Sequence, residues 1–162
     1  MKMQANRDYA SNDLIMTPEP LARRIIDYFQ PSGIVLEPCR GSGNFYNYMP
    51  PNSLWCEITE GKDFMQFRQQ VDWIITNPPW SKMRQFLQHS MLLADNIVFL
   101  MTINHLWTRA RIRDIYSNYF GIVEIIMIDT PEEFPQLGFQ LGIVHLKGGY
   151  EGGIKLTDWR TK

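Results

Sequence analysis

Four consecutive residues, Asn77-Pro78-Pro79-Trp80 (the tetrad), combine side chains and a position that could carry out chemistry. They follow a short apolar run, residues 73–76, and the proline pair predicts that this buried strand ends at the tetrad. Ligands of open α/β sheets bind at the carboxyl ends of the strands, so we expect the tetrad at the mouth of a site. A proline-ended strand followed by a core tryptophan is the alternative without chemistry.

The tetrad suits a substrate that carries an exocyclic amino group on a flat ring. The nitrogen lone pair of such a group is delocalised into the ring, which makes it a poor nucleophile. The side-chain oxygen of Asn77 and the backbone carbonyl of Pro78 can each accept a hydrogen bond from one of its N–H groups. These hydrogen bonds make the lone pair available for attack. Pro78 and Pro79 stiffen the turn. Trp80 offers a stacking face, typically worth about 1–3 kcal/mol for a base.

A Gly-rich turn, residues 37–45, follows another predicted strand. Gly41 and Gly43 let the backbone approach a ligand closely, although a plain tight turn would also explain them. A phosphate cradle is disfavoured because Gly-Lys-Ser/Thr and the third glycine of the dinucleotide fingerprint are both missing. Glu37 favours a cationic or hydroxyl-bearing ligand instead. Glu57, about 20 residues further on, has the place of a carboxylate that commonly binds ribose hydroxyls.

Strands and helices alternate along the chain and predict the scaffold of this site. Strands are expected over residues 34–36, 54–58, 73–76, 97–101, 122–128 and 139–147, with a short edge strand over 154–158. The link between the last two long strands has no room for a helix, so this pair is predicted to be antiparallel. Only 13 residues separate Ile58 from Asp72, so the usual third strand is expected to be reduced or absent.

Three polar residues predict where helices begin. Thr17, Ser81 and Thr108 are good N-caps, and Pro18 suits a first helical turn. Residues 102–107 are expected to form a loop at the carboxyl end of a strand, on the same face as the tetrad, where His105 could contact the substrate, although an ordinary surface or packing position is the alternative. The predicted fold is therefore an α/β, Rossmann-like, mostly parallel sheet with an antiparallel last strand and helices on both faces.

Length and composition bound the remaining possibilities. The 162 residues predict one domain, with residues 1–16 as an arm and 148–162 as a tail. The net charge of −1 gives no overall attraction to nucleic acid, so any such contact needs local basic residues. The two cysteines and three histidines show no metal-ligand or disulfide pattern, so we expect no metal. No apolar run approaches the length of a membrane span, and a cytoplasmic protein is expected.

Taken in order, these motifs resemble the class I S-adenosylmethionine-dependent N6-adenine DNA methyltransferases, especially small phage-type enzymes, over roughly residues 11–147. The resemblance implies S-adenosylmethionine as cofactor, DNA as partner, a flipped-out target base stacked on Trp80, and the tetrad as catalytic motif. It assigns to cofactor binding Thr17, Glu37, Cys39, Gly41, Gly43, Glu57, Asp63 and Phe64. It places Phe134 against the flipped base. Lys82, Arg109 and Arg111, which follow strand ends, are candidates for phosphate contacts, although solvated surface charges are the alternative.

The chain departs from the family pattern in two ways. The stretch between Glu57 and Asp72 is short, and little sequence follows the last motif, where this subgroup normally carries a target-recognition domain. Recognition by a separate specificity subunit or a homodimer is therefore left open. So are the same chemistry on RNA adenine, RNA guanine or a protein glutamine, and a non-catalytic cofactor-binding module. The expected location is the cytoplasm of a bacterium or phage-infected host.

Overall fold

The computed structural model describes residues 14–136 and 138–161, which build a seven-stranded sheet in the order β2-β1-β3-β4-β6-β5-β7. The strands are β1 Val35–Glu37, β2 Leu54–Trp55, β3 Val71–Thr76, β4 Ala94–Thr102, β5 Phe120–Met127, β6 Leu141–Gly148 and β7 Lys155–Asp158. The helices are α1 Glu19–Phe29, α2 Met83–Leu93, α3 Ile103–Leu106 and α4 Arg109–Ser117. Single 3-10 turns cover Tyr46–Tyr48, Ile58–Glu60, Phe64–Gln66 and Trp80–Lys82.

The pairing of the strands confirms the predicted fold class. Strands β1 to β4 run parallel, whereas β6 is antiparallel to both of its neighbours, β4 and β5. The usual third strand is absent from its place beside β2. The two 3-10 turns between β2 and β3 occupy this stretch instead, each capped by an acidic side chain, Glu57 or Asp63. β7 adds a parallel edge strand beside β5, so the predicted tail contributes to the sheet.

Helices cover both faces of the sheet because its strands are apolar on both sides. Alternate residues of a strand point to opposite faces. In β4, Ile97 and Phe99 pack with α2 in one buried cluster, while Val98 and Leu100 pack with α1 in a second. This layering fixes the carboxyl ends of the central strands at one edge, where the tetrad emerges from β3.

Several local boundaries differ from the sequence predictions. Thr17 does not cap α1, because that helix begins at Glu19 with Pro18 as its N-cap. Ser81 does not cap α2 either, because it lies inside the 3-10 turn that precedes the helix. Thr108 does cap α4, and its hydroxyl accepts a 3.2 Å hydrogen bond from the Arg111 amide. The predicted loop 102–107 contains the short helix α3.

The structure describes the predicted arm only in part. Residues 1–13 of the predicted arm lie outside the described residues, while residues 14–16 lie against the sheet edge that carries the tetrad. Among the helices of the described ranges, none has both the length and the apolar character that a membrane crossing requires.

Candidate active site

A cleft of about 470 Å³ opens beside the carboxyl ends of β1, β2 and β3. Its volume lies in the range of about 300–1,000 Å³ that is usual for small-ligand sites. Eight of the residues predicted for the site line the cleft, namely Cys39, Gly41, Glu57, Asp63, Phe64, Asn77, Pro79 and Lys82. Thr17 and Glu37 line a small adjoining cavity instead, and Gly43, Pro78 and Trp80 are not among the lining residues of either. In the sequence these residues follow three different strands, and the parallel sheet brings the carboxyl ends of those strands together.

The Gly-rich turn is held in place by Glu57. One carboxylate oxygen of Glu57 accepts a 2.8 Å hydrogen bond from the Gly41 amide, and the other accepts bonds from the amide and hydroxyl of Thr59. Burial alone would raise the pKa of Glu57, but these hydrogen bonds outweigh it and hold the pKa below its ordinary value. Gly41 has φ +53°, and a Cβ there would lie 2.5 Å from the sulfur of Met16. The backbone conformation at Gly41 therefore favours glycine, and the hydrogen bond to Glu57 fixes the turn before any ligand binds.

Glu37 is a buried carboxyl group without a charge partner of its own. Its side chain is 2% exposed, and Oε2 has no hydrogen-bond partner among the described residues. Burial raises the pKa of Glu37 to about 9, so the group is neutral at pH 7. Thr17 Oγ1 and Asn77 Oδ1 are also buried without partners, and all three residues line a small adjoining cavity of about 30 Å³. This cavity has room for one water molecule or one small polar group of a ligand, either of which would satisfy these atoms.

Asp63 and Phe64 form the opposite wall of the cleft. Asp63 Oδ1 accepts a 2.9 Å hydrogen bond from the Met65 amide, which caps the 3-10 turn Phe64–Gln66 and fixes the carboxylate at its start. Phe64 is 2% exposed and packs on Phe86, with ring centroids 5.0 Å apart. The pair therefore combines a fixed carboxylate with an aromatic ring, as a flat polar ring system would need.

The tetrad is tied to neighbouring segments by short contacts. Cys39 Sγ lies 3.1 Å from Thr76 Oγ1 and donates to the Asn77 carbonyl at 3.3 Å, and burial raises the pKa of this thiol. Asn77 Nδ2 donates to the Ile15 carbonyl at 3.2 Å, which turns the amide so that Oδ1 stays unpartnered. Cys39 thus links the carboxyl ends of β1 and β3, and Asn77 Oδ1 remains available as an acceptor.

Trp80 stands between two aromatic neighbours. Its ring centroid lies 6.0 Å from that of Phe134 in a tilted arrangement and 6.5 Å from that of His105, edge-on at 85°. Phe134 is 3% exposed, so it supports Trp80 from within the core. The predicted contact of Phe134 with a target base stays a prediction, and the ring that Phe134 contacts in this structure is Trp80.

The basic residues near the site differ in their exposure and in their ion-pair partners. Lys82 lines the cleft, Arg109 is exposed at the start of α4, and Arg111 is half-buried with an unpartnered Nε. By contrast, Arg84 binds Asp114 through two hydrogen bonds of 2.7 and 3.1 Å. Of these four cations, Arg84 is the one committed to an ion pair with a carboxylate.

The sequence interpretation missed the apolar residues Leu14, Ile15 and Met16, which line the cleft although they were assigned to the arm. Three apolar residues just before Thr17 were the only signal, and a short apolar run cannot be placed on a site by pattern alone. No cluster of three metal-ligating side chains occurs within residues 14–136 and 138–161.

Comparison with known proteins identifies the fold. No protein-family model matches the sequence, and no curated protein matches it. Among solved structures, the M protein of the type I restriction enzyme EcoKI gives a TM-score of 0.69 at 14% identity, over 90% of this chain and 48% of that one. A Listeria monocytogenes protein assigned as a candidate class I S-adenosylmethionine-dependent methyltransferase gives 0.67 at 13%, over 97% and 67%. The 23S rRNA methyltransferase ErmE gives 0.60 at 14%, over 85% and 72%.

The chain has the class I methyltransferase fold. It spans about half the length of the EcoKI M protein. In this fold the cleft beside the Gly-rich turn lies at the carboxyl ends of the parallel strands, where ligands of open α/β sheets bind.

Proposed function

We propose that this chain transfers a methyl group from S-adenosylmethionine to the N6 amino group of adenine in DNA. The observation that carries the proposal is the Asn77 amide. Its nitrogen is held by the Ile15 carbonyl, and its oxygen remains an unpartnered acceptor at the rim of an acidic cleft. An acceptor in this position suits an amino group that donates one hydrogen bond to Asn77 and another to the Pro78 carbonyl.

The cleft fits the proposed cofactor in charge and shape. S-adenosylmethionine, when bound, supplies an electrophilic methyl group on a sulfonium cation. Glu37, with its unpartnered oxygen, and Thr17 would hold the amino-acid end, beside a turn where Gly41 allows close approach. Glu57 would bind the ribose, and Asp63 and Phe64 would hold the adenine ring against the far wall. A cationic ligand would give the buried oxygen of Glu37 a partner that it lacks among the described residues.

The residues of the chain then act mainly by positioning. Direct displacement requires the attacking nitrogen within about 3–3.5 Å of the methyl carbon. Asn77 and Pro78 would accept hydrogen bonds from the amino group, which makes its lone pair available. The nitrogen would bond to the methyl carbon as the carbon–sulfur bond breaks, S-adenosylhomocysteine would leave, and one proton of the product amine would pass to solvent. Trp80 stacks on the target base. A base inside a duplex must first be flipped out, at a cost of a few kcal/mol.

Binding of the nucleic acid would rely on local charge. Lys82, Arg109 and Arg111 are proposed to contact phosphates, and Phe134 to support the flipped base through Trp80. The EcoKI M protein is a component of a type I restriction enzyme. We extend the proposal by analogy: a separate specificity subunit, or a second copy of this chain, supplies sequence recognition.

Mass spectrometry of nucleosides tests the proposed activity. The protein is incubated with S-adenosylmethionine carrying an isotopically labelled methyl group and with DNA and RNA in separate reactions. Labelled N6-methyladenine is expected in the DNA, and Asn77→Ala is the matched inactive control. Product confined to RNA would favour the second candidate, an RNA methyltransferase, which the likeness to ErmE supports. Cofactor binding without product on any nucleic acid would overturn both.

A further inference from the structure

His105 lies beside the proposed base site although no motif marks it. It belongs to α3, which directly follows β4, and β4 pairs in parallel with β3. The carboxyl ends of the two strands are therefore neighbours, which brings His105 next to the tetrad. Its imidazole centroid lies 6.5 Å from the Trp80 centroid, with the two rings nearly perpendicular at 85°.

One ring nitrogen of the His105 imidazole has no hydrogen-bond partner within the described residues. Nδ1 of His105 is buried and unpaired, and Nε of the nearby Arg111 is in the same situation. Burial lowers the pKa of His105, and the Arg111 charge lowers it further, so the ring is neutral at pH 7. A purely structural histidine normally has its ring nitrogens satisfied, as His145 does with Asn96 at 3.0 Å. His105 instead keeps its hydrogen-bonding capacity for another partner.

We propose that His105 hydrogen-bonds a ring nitrogen of the target base and thereby helps to select it. This inference rests on the proposed function. A base stacked on Trp80 would be perpendicular to the imidazole, so His105 meets its edge rather than sharing the stack. Asn77 and Pro78 engage the amino group, which leaves the ring nitrogens N1 and N7 of adenine as acceptors. A neutral imidazole carries one N–H donor and can serve either of them.

Substrate analogues combined with variants test this contact. Three oligonucleotides carry adenine, 1-deazaadenine or 7-deazaadenine at a position that the wild-type protein methylates. For the wild type, kcat/KM should fall about tenfold on one of the two analogues, the upper end expected for a lost neutral hydrogen bond. For His105→Ala the same analogue should cause almost no further loss, because the partner is already gone.

Two further variants guard against trivial explanations. His105→Asn places an amide nitrogen near the position of Nδ1 and should recover part of the discrimination. Asn104→Ala, an exposed neighbour on the same helix, is the matched control and should behave as the wild type. Equal discrimination by the wild type and His105→Ala would overturn the inference. So would a uniform fall on all three substrates together with a lower Tm, since this is what a packing role produces.

The failure of this inference can be distinguished from failure of the proposed function. Wild-type methylation of adenine with no coupling between His105 and the ring nitrogens refutes the His105 contact alone. Absence of wild-type methylation on any adenine refutes the proposed function, and the contact with it.

Discussion

The two halves of the candidate active site differ in how their polar groups are satisfied. On the cofactor side, Glu57 and Asp63 already accept hydrogen bonds from backbone amides of the Gly-rich and 3-10 turns. On the substrate side, Asn77 Oδ1, His105 Nδ1 and Arg111 Nε are buried with no partner among the described residues. Hydrogen bonds within the chain thus fix the turns of the proposed cofactor half, whereas these three atoms of the proposed substrate half have no such bond among the described residues.

This contrast has a physical reason. A loop that must bind a cofactor tightly gains from having its backbone fixed in advance, because less conformational freedom is lost on binding. Groups that act mainly in the transition state gain from being placed and left unpaired. Three groups on the proposed cofactor side are exceptions, since Thr17 Oγ1, Glu37 Oε2 and Arg40 Nε are also buried without a partner among the described residues. Substitutions on each side should therefore have different signatures.

The largest effect is expected for Asn77→Ala. Removing a preorganised acceptor typically costs about 10²–10³ in turnover. Cofactor affinity, measured by calorimetry, should stay within a few fold because the Gly-rich turn is held by Glu57 and not by Asn77. A variant that methylates at the wild-type rate would end the proposed mechanism.

Trp80→Ala should affect the substrate in the ground state as well. Loss of stacking, worth about 1–3 kcal/mol, should raise the KM for the oligonucleotide and also lower turnover. Trp80→Phe should recover much of the activity because any aromatic face can stack. If Trp80 only packs against Phe134, truncation will instead lower the Tm with KM unchanged.

Glu57→Ala tests the preformed half. Hydrogen bonds to a charged group contribute about 1.5–3 kcal/mol, so S-adenosylmethionine affinity should fall roughly 10- to 100-fold. The Tm should fall too, because the Gly41 amide and Thr59 lose their acceptor. Glu151→Ala, an exposed glutamate in the link between β6 and β7, is the control and should leave affinity unchanged. Wild-type affinity in Glu57→Ala would refute the assignment of this half to the cofactor.

Local spacing in the sequence predicted several residues of the site, in both of its halves. Glu57 after a strand, Gly41 in the turn and Asn77 at a strand end all follow from short-range pattern, and the parallel sheet brings them together as expected. The cap assigned to Thr17 was wrong because α1 begins two residues later, at Glu19.

Long-range contacts explain what the sequence could not predict. The Ile15 carbonyl orients Asn77 across a separation of 62 residues, and no local pattern carries that information. The neutrality of Glu37 results from burial by the folded chain. His105 lies on the predicted side of the sheet, but its approach to the Trp80 ring depends on α3, a single helical turn in a segment that the pattern assigned to a loop.

Glu37 predicts a pH dependence of cofactor binding. Its pKa is about 9 in the free protein and ordinarily 4.5, so the folded protein holds a proton between these values and its stability falls as pH rises through that window. A cationic ligand favours the carboxylate, so binding at pH 7 should release a proton, and affinity should rise by up to about tenfold per pH unit toward pH 9. Calorimetry in buffers of different ionisation enthalpy measures the release. Glu37→Gln should abolish it, and unchanged proton release in that variant would contradict the assignment.

The smallest effect is expected for Arg109→Ala, which probes the exposed rim of the substrate half. Each phosphate contact contributes about 0.9 to the slope of log affinity against log salt on duplex DNA. Losing one contact should reduce that slope by about one and narrow the affinity difference between 50 and 200 mM salt by roughly three- to fourfold. Lys147→Ala is the matched control, because Lys147 is exposed and pairs with Asn96 near the start of β4, far from the strand ends that carry the site. Fluorescence anisotropy with a labelled oligonucleotide measures both slopes. Equal slopes in Arg109→Ala and the wild type would remove Arg109 from the interface, and the substrate half would then depend on its buried unpaired groups alone.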